Sequence, residues 1–224
     1  MKFRHEHKHY INYMDYLVIQ SKLKAIMKPD ANTNADGEYQ IRSLYFDDYN
    51  DTALKDKING INYREKFRIR CYNNNFDYIN LEKKSKINGL CTKIKAPISK
   101  AEIEALLSCK TEWMASSGEP LIVELYTKMK SGQLRPKTIV DYDREAYVYG
   151  PGNVRVTFDK NIRTGLFNTD LFNANLPTVA AGEVQILLEI KYDNFIPEVI
   201  SNIVQLDGRR RTAYSKYAAS RIFS

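Results

Sequence analysis

Three consecutive runs of strand length, within residues 63–97, place charged side chains on one face and apolar side chains on the other. Side chains of a β-strand alternate between the two faces of a sheet, so residues two apart lie on the same side. Lys66, Arg68 and Arg70 share the charged face of the first run, and Phe67 lies on its apolar face. The charged faces of the next two runs consist of Glu82, Lys84, Lys86, Lys93 and Lys95. The pattern predicts a sheet with one basic face, which is a candidate anion-binding surface.

The turns between these runs predict how the three strands are arranged. Asn73, Asn74 and Asn75 separate the first run from the second, and Asn88-Gly89 separates the second from the third. Asn and Gly tolerate the left-handed backbone conformation that tight hairpin turns need. We therefore expect three antiparallel neighbours whose charged faces lie on one surface. Exposure of that surface to solvent is the ordinary alternative to ligand binding.

The overall charge is consistent with a polyanionic partner. The chain has 34 Lys and Arg residues against 27 Asp and Glu, a formal net charge of +7 and a pI near 9.1. An excess of positive charge favours phosphate chains, nucleotides, nucleic acid or anionic lipid as partners. A hydrophobic fraction of 43% and an aromatic fraction of 12% indicate a folded protein. At 224 residues we expect a single domain that spans residues 1–224.

Cysteine usage and the amino-terminal sequence indicate a soluble, cytoplasmic protein. Cys71, Cys91 and Cys109 are an odd number and form no CxxC pair, so neither a disulfide framework nor a zinc knuckle is expected. The first residues, MKFRHEHKHYI, have no apolar core of a signal peptide. We find no apolar stretch long enough to span a bilayer.

The rest of the chain alternates between strand patterns and helix patterns. Apolar and polar alternation predicts further strands over residues 3–11, 39–47, 137–148, 154–162 and 184–193. Helical periodicity and capping residues predict helices over residues 13–27, 52–57, 99–108, 112–116, 120–130, 197–206 and 215–223. In the first helix we expect the core-facing apolar stripe to consist of Met14, Leu17, Val18 and Ile26.

Three helix starts have specific signals. Asn12 is a predicted N-cap for the first helix. Ser99 with Glu102 three residues later matches a capping box. Pro120 suits the first turn of its helix, where a missing backbone N–H has no cost.

The elements together predict an α+β fold built on an eight-stranded, mostly antiparallel, closed β-barrel with flanking helices. The strand number suits a small barrel, and amphipathic helices can cover its apolar outer face. An open two-layer sheet with its charged face in water is the alternative. Closure would bury many basic side chains, which is costly unless a polyanion and a metal ion occupy the interior.

The order of short motifs resembles the CYTH, or triphosphate tunnel metalloenzyme, superfamily. Arg4-x-Glu6-x-Lys8 is similar to its ExExK signature, with the first Glu replaced by Arg. Within the superfamily the chain best resembles the VTC-type polyphosphate polymerase domain. The matching motifs are YFDD at 45–48, FRIRCY at 67–72, LEKK at 81–84, KIKA at 93–96, YDREA at 142–146, VRVTFD at 154–159, LEIK at 188–191 and SKY at 215–217. No single motif is specific, but their ordered occurrence is.

The resemblance implies an enzyme that transfers the γ-phosphate of ATP to a growing inorganic polyphosphate chain and releases ADP. It implies catalytic roles, through charge and hydrogen bonds to phosphate oxygens, for Lys8, Arg68, Arg70, Lys84, Lys95, Arg144, Arg155 and Lys216. It implies that Glu189, with assistance from Glu6, binds Mn²⁺ or Mg²⁺. We assign substrate contacts to Arg4, Arg42, Lys93 and Tyr142, although Arg42 can face either side of its strand.

Several alternatives to this assignment stay open. A triphosphatase of the same fold would use an overlapping set of residues, and a non-catalytic polyphosphate binder would need the basic residues without Glu189. A nucleic-acid-binding barrel is disfavoured, because Phe67 lies opposite the arginines and not among them. Glu189 could instead be a buried partner of a neighbouring cation.

Two further expectations concern zinc binding by histidines and association with a membrane. His5, His7 and His9 share one strand face and could bind zinc, but they are expected to point away from the interior. The phosphate-sensing SPX domain and the membrane segments of the eukaryotic polymerase are absent from this sequence, so regulation does not carry over. A membrane partner is compatible with the sequence.

Overall fold

A computed structural model describes residues 4–34, 36–183, 186–205 and 208–222. Its centre is one curved sheet of ten strands in which every hydrogen-bonded pair is antiparallel. The strands are β1 (His5–Ile11), β2 (Lys28–Pro29), β3 (Glu38–Asp47), β4 (Tyr63–Tyr72), β5 (Asn75–Ile87), β6 (Leu90–Pro97), β7 (Arg135–Tyr149), β8 (Val154–Thr164), β9 (Val179–Ala180) and β10 (Ile186–Tyr192). Their order is β1-β10-β8-β7-β3-β4-β5-β6, with β2 added to β7 and β9 to β8.

Helices flank the sheet and complete the α+β class. They are α1 (Tyr13–Ile26), α2 (Thr52–Ile58), α3 (Lys100–Leu107), α4 (Pro120–Ser131), α5 (Glu198–Val204) and α6 (Lys216–Ser220), with 3-10 helices at Glu112–Ser116 and Pro151–Asn153. Among the described residues, no helix is both long and apolar enough to cross a membrane. The predicted positions of residues 3, 184, 185, 206, 207, 223 and 224 lie outside the described residues.

The closed barrel of the sequence analysis is not confirmed. Among the described residues, the two sheet edges meet at one isolated bridge, between Arg4, which precedes β1, and Cys91 of β6. Its two backbone hydrogen bonds have N···O distances of 3.2 and 3.4 Å. Along the described part of β1 no continuous ladder joins it to β6. The sheet therefore curls until its edges touch, and backbone hydrogen bonds do not close it along their length.

The apolar side of the curved sheet is its outer side, as the alternation predicts. On one half, Phe67, Ile69 and Leu81 pack against Ile103 of α3 and Leu125 of α4. On the other half, the outer face of β8 and β10 packs against α1 and α5 through Phe158, Ile190, Leu23 and Ile200. Because the helices take up the apolar faces, the charged faces of the strands lie on the concave side.

The capping signals are confirmed. The side chain of Asn12 accepts a hydrogen bond from the backbone N–H of Asp15 at 2.8 Å. Ser99 and Glu102 form the reciprocal capping box, and Pro120 occupies the first turn of α4. These contacts satisfy backbone donors that a helix start leaves without partners.

The predicted core stripe of α1 is wrong. Met14, Leu17, Val18 and Ile26 are exposed, and the buried residues of this helix are Tyr16, Ile19 and Leu23. The helix has apolar residues on both sides, so periodicity alone could not select one. Tyr16 decides the orientation, because its hydroxyl donates to buried Glu145 at 2.7 Å and its ring packs edge-on against Phe158, with centroids 5.0 Å apart.

Candidate functional site

The concave side of the sheet encloses a cavity of about 340 Å³ that gathers most of the predicted site residues. Basic side chains dominate its wall, and the two carboxylates among the lining residues belong to Glu6 and Glu189. The predicted residues on the wall are Arg4, Glu6, Lys8, Arg68, Arg70, Lys84, Lys93, Tyr142, Arg144, Arg155, Glu189 and Lys216. The sheet thus brings together residues that are up to 212 positions apart, as Arg4 and Lys216 are.

Strand register explains why these side chains converge. Lys66, Lys84 and Lys93 occupy one row across β4, β5 and β6. Directly opposed side chains lie about 5 Å apart between Cβ atoms, and like charges in that position repel. A row of three lysines is therefore costly by itself and favourable when an anion lies between their ammonium groups.

Two carboxylates and one lysine occupy the middle of β1 and β10. The Lys8 ammonium lies 3.0 Å from Glu6 Oε1 and 3.3 Å from Glu189 Oε2. Lys84 reaches Glu6 at 2.7 Å, and Lys191 contacts Glu189. Burial by itself would raise the pKa of Glu189, but the surrounding cations, Lys191 and Lys8 first among them, hold that pKa well below its usual value. Both carboxylates are consequently ionised at neutral pH.

Glu6 and Glu189 form a donor set that fits a hard divalent cation. Lys8 contacts both carboxylates, so the two groups face a common space. In the described part of the chain no group of three or more His, Cys, Asp or Glu residues could hold a metal alone. Mg²⁺ and Mn²⁺ prefer oxygen ligands and are commonly held by one or two carboxylates, with phosphate oxygens and water completing the coordination. The two glutamates suit that mode.

Two buried carboxylates that sequence reasoning did not assign orient the arginines of the wall. Asp159 is fully buried and accepts two hydrogen bonds from Arg144, at 2.6 and 2.8 Å, and a further one from Lys216. Glu82 accepts from Arg68 at 2.8 Å and from Lys93 at 2.8 Å. Bidentate pairing fixes the plane of a guanidinium group. The remaining N–H groups of these arginines therefore point in set directions.

Two tyrosines of the cavity wall also contact its cations. The Tyr142 hydroxyl accepts from Arg70 Nη2 at 2.9 Å, and the Tyr45 hydroxyl accepts from Arg68 Nη1 at 3.0 Å. The Lys216 ammonium lies 4.5 Å from the centroid of the Tyr142 ring. Because aromatic faces attract cations without neutralising them, these contacts keep the charges available to an anionic ligand.

Two predicted residues lie outside the cavity. Arg42 is on the opposite face of β3, where it makes a bidentate pair with Asp141 at 2.9 and 2.8 Å. A shift of one residue along a strand reverses the face, and Ser43 and Tyr45 have the inward parity instead. The cavity position assigned to Arg42 is therefore wrong. Lys95 is opposite Glu82 in register, but its side chain is exposed and contributes nothing to the cavity wall.

Further residues of the wall were not assigned from the sequence. Lys66 and Lys191 have the parity of assigned neighbours, so the alternation itself could have identified them. His5 lies at the cavity wall, whereas His7 contacts the Tyr192 hydroxyl at 2.9 Å and His9 contacts the Arg210 carbonyl at 3.2 Å. The three histidines therefore have different surroundings and share no metal-binding arrangement among the described residues.

The surroundings of Lys66 predict that anion binding in the cavity depends on pH. Burial, together with Lys84 and Lys8, lowers the pKa of Lys66 to about 7, although Tyr45 opposes that shift. A bound polyanion favours the protonated ammonium, so affinity is greatest below this pKa and falls as the pH rises through it. We expect the affinity for long-chain polyphosphate, whose internal phosphate groups are fully ionised throughout this range, to fall about tenfold between about pH 7 and about pH 9. Isothermal titration calorimetry at several pH values measures this change.

Lys66→Arg provides the test of that assignment, because arginine stays charged throughout this range. The variant should have a clearly weaker pH dependence. Burial by itself would raise the pKa of Tyr45, but nearby cations, Arg68 first among them, outweigh this effect and lower the pKa to about 7. The phenolate of Tyr45 would also repel phosphate. The double variant Lys66→Arg/Tyr45→Phe should therefore show a still weaker dependence on pH. The part that remains is assigned to Lys191 of the same wall, because burial lowers its pKa to about 8 against the opposing effect of Glu189 and Glu6. An unchanged slope in both variants would contradict the role of Lys66.

Comparison with known proteins agrees with this architecture. The chain resembles a solved structure from Bacillus halodurans named "putative adenylate cyclase", with a TM-score of 0.58 and 14% identity over 100% of this chain and 98% of that one. A protein of the same name from Vibrio parahaemolyticus has a TM-score of 0.49 and 10% identity over 97% of both chains. At such low identity the likeness to the first structure concerns the fold alone. No curated protein sequence matches the chain.

The sequence itself matches one family profile over nearly its entire length. The profile is that of the VTC domain, and it covers residues 3–223. The covered region includes every strand of the curved sheet and every residue of the cavity wall. This chain belongs to the VTC domain family.

Proposed function

We propose that this domain is a metal-dependent polyphosphate polymerase that transfers the γ-phosphate of ATP to the end of an inorganic polyphosphate chain. Membership of the VTC domain family supports the proposal. The cavity supports it as well, because basic side chains outnumber carboxylates on its wall and a multiply charged anion would offset the excess positive charge. Phosphoryl transfer requires mainly such positioning and charge stabilisation.

The observation that favours a polymerase over a triphosphatase is a second basic cavity beside the main one. A smaller cavity of about 120 Å³ adjoins the main one and shares Glu6, Lys8, Lys66 and Lys84 with it. Beyond these shared residues its wall continues with Lys57, Arg64 and Lys86. A growing chain needs room beyond the reacting phosphate, which the hydrolysis of a short triphosphate does not require. The second basic cavity would provide that room.

The reaction requires no protein nucleophile in this arrangement. An anionic oxygen at the end of the polyphosphate chain attacks the γ-phosphorus of ATP and forms the new P–O bond. The bond from the γ-phosphorus to the β-phosphate oxygen breaks, and ADP leaves with that electron pair. The attacking oxygen is already deprotonated, so no general base is needed.

Arginines and lysines of the cavity wall would contribute to this reaction in different ways. Arg68, Arg70 and Arg144 have fixed guanidinium planes that can donate pairs of hydrogen bonds to non-bridging oxygens. Lys84 and Lys216 contribute point charges. Mn²⁺ or Mg²⁺ held by Glu189 and Glu6 would supply further neutralisation of the phosphate charge.

Analysis of the products tests the proposal. Purified protein with ATP and Mn²⁺ should produce ADP and a ladder of long polyphosphate on a polyacrylamide gel. Release of phosphate without a ladder would identify a triphosphatase. Binding of polyphosphate without turnover of ATP would identify a non-catalytic binder.

A matched pair of lysine variants connects the product to the cavity. Lys84→Ala removes a cavity lysine that pairs with Glu6, and Lys128→Ala removes a surface lysine that pairs with Glu65. We expect the first variant to lose at least about tenfold in rate, because a charge contact to phosphate is worth that much or more. The second variant should behave like the wild type. Equal rates in the two variants would contradict a reaction inside the cavity.

A further inference from the structure

The solvent side of α1 is apolar, which is unusual for a helix that covers a sheet. Tyr16, Ile19 and Leu23 already fill the core side of the helix. On the opposite side Met14 is 68% exposed and Val18 is 49% exposed. Leu17, Ser21 and Ala25 complete this outward face, and all of them are exposed. At about 100° per residue these positions form one continuous stripe along the helix.

Positive charge borders the stripe on both sides. With the same angular spacing, Lys24 falls at one edge of the outward face and Lys22 at the other. Both lysines are exposed, and neither pairs with a carboxylate in the described part of the chain. The acidic residue of this helix, Asp15, is paired with Arg209 at 2.9 Å. The outward surface of α1 is therefore mainly apolar, with Ser21 as its polar member, and cationic at its borders.

The loop of residues 208–213 adds arginines beside the first turn of α1. The Arg209 contact to Asp15 holds the loop there, and the Arg210 carbonyl contacts His9 at 3.2 Å. The side chains of Arg210 and Arg211 are exposed and have no acidic partner among the described residues. Tyr10 and Tyr13, 43% and 63% exposed, lie at the same end of the helix.

We propose that this outward surface of α1, with Lys22, Lys24, Arg210 and Arg211, binds the surface of an anionic phospholipid bilayer. Charge complementarity selects the occupant: lysines and arginines around an apolar stripe match acidic headgroups above hydrocarbon. Tyrosine is favoured at the level of the headgroups, where its ring is in apolar surroundings and its hydroxyl is hydrated. A second copy of this chain, with a net charge of +7, would place like charges against one another.

The proposed binding mode is interfacial. The axis of α1 lies parallel to the bilayer, with Met14, Leu17 and Val18 inserted among the acyl chains near the headgroups. The core side of the helix stays packed on β8 and β10, so no unfolding is needed. This surface is separate from the concave cavity, and the proposal does not depend on the reaction that takes place there.

Co-sedimentation with vesicles tests the proposal. The intact protein is mixed with vesicles of phosphatidylglycerol and phosphatidylcholine, or of phosphatidylcholine alone, at low and high salt. We expect binding to the anionic vesicles, which weakens with salt, and little binding to the neutral ones. The triple variant Met14→Ser/Leu17→Ser/Val18→Ser should bind at least about tenfold more weakly, because it removes the inserted apolar area. Lys22→Gln/Lys24→Gln should also weaken binding to the anionic vesicles.

Matched controls distinguish binding through this surface from nonspecific adsorption of the protein to vesicles. Tyr78→Ser/Phe167→Ser removes two apolar side chains elsewhere that are more exposed than those of the triple variant, and Lys55→Gln/Lys110→Gln removes two exposed lysines elsewhere. Both should bind like the wild type. Three results would overturn the proposal: no binding of the wild type to anionic vesicles, unchanged binding of the triple variant, or a dimer by light scattering that the triple variant loses without any binding to vesicles. Melting curves measure whether each variant is folded. Because all substituted positions are exposed, we expect melting temperatures close to that of the wild type.

Discussion

Glu189→Gln is expected to reduce metal-dependent turnover of ATP at least about a hundredfold while polyphosphate binding is retained. The substitution keeps the shape of the side chain and removes its charge. Glutamine offers a neutral oxygen that binds a divalent cation far more weakly than a carboxylate does. The cavity around position 189 contains Lys8, Lys191 and Arg144. Loss of one negative charge among these cations leaves them freer to bind a polyanion, so affinity should be equal or greater.

The two quantities are measured separately. ADP release with Mn²⁺ reports turnover, and titration calorimetry with polyphosphate in the absence of metal reports binding. Glu124→Gln is the matched control, because Glu124 is also paired with a lysine, Lys83, but lies on α4 outside the cavity. It should have the activity of the wild type. Full activity of Glu189→Gln would remove this residue from metal binding, and parallel loss of both quantities would indicate a structural role.

Asp159→Asn is expected to destabilise the fold and to make its stability depend strongly on a phosphate ligand. Asp159 is fully buried between Arg144 and Lys216. Without the carboxylate, two cations face each other at a position shielded from water. Removal of one partner from a buried ion pair costs about 3–5 kcal/mol, which corresponds to a decrease of roughly 10 °C in melting temperature for a chain of this size.

Tripolyphosphate should restore part of that loss. A bound anion near Arg144 and Lys216 supplies the negative charge that Asp159 no longer provides, so thermal denaturation should show a larger ligand-induced increase in the variant than in the wild type. Asp141→Asn is the control. It removes a bidentate partner of Arg42 on the outer face of the sheet, so it should be destabilised without the additional increase. An equal ligand effect in both variants would contradict the position of Asp159 behind the phosphate site.

Strand alternation predicted most of the cavity wall because the period of two depends on local geometry. The charged faces of β4 and β5 could be assigned from residues 63–97 alone. Arg42 shows where the pattern fails: β3 is buried on both faces, so nothing in its sequence marks the inward side. Asp159 could not be assigned either, because its function depends on Arg144 and Lys216, whose proximity only the folded sheet creates.

The failure at α1 has a different cause. Two apolar stripes lie on one helix, and the choice between them was made by Glu145 and Phe158 on distant strands. Whether the sheet closes into a barrel could not be predicted from the sequence either. Strand number and twist allow either a complete barrel or a curled sheet, and edge contacts between β1 and β6 decide between them.

Because the described parts of the two sheet edges share the bridge between Arg4 and Cys91 but no continuous ladder, the ion pair of Glu6 and Lys84 also helps to hold the ends of the sheet together. Glu6 is on the edge strand β1 and Lys84 is on β5, so their contact at 2.7 Å crosses the line where the sheet is not closed by a ladder. This ion pair therefore connects β1 to β5 across the gap between the two sheet edges. A phosphate that binds Lys84 competes with Glu6 for the same ammonium group. In the proposed complex the phosphate chain would therefore replace the contact between Glu6 and Lys84, and the ligand itself would link β5 to β1.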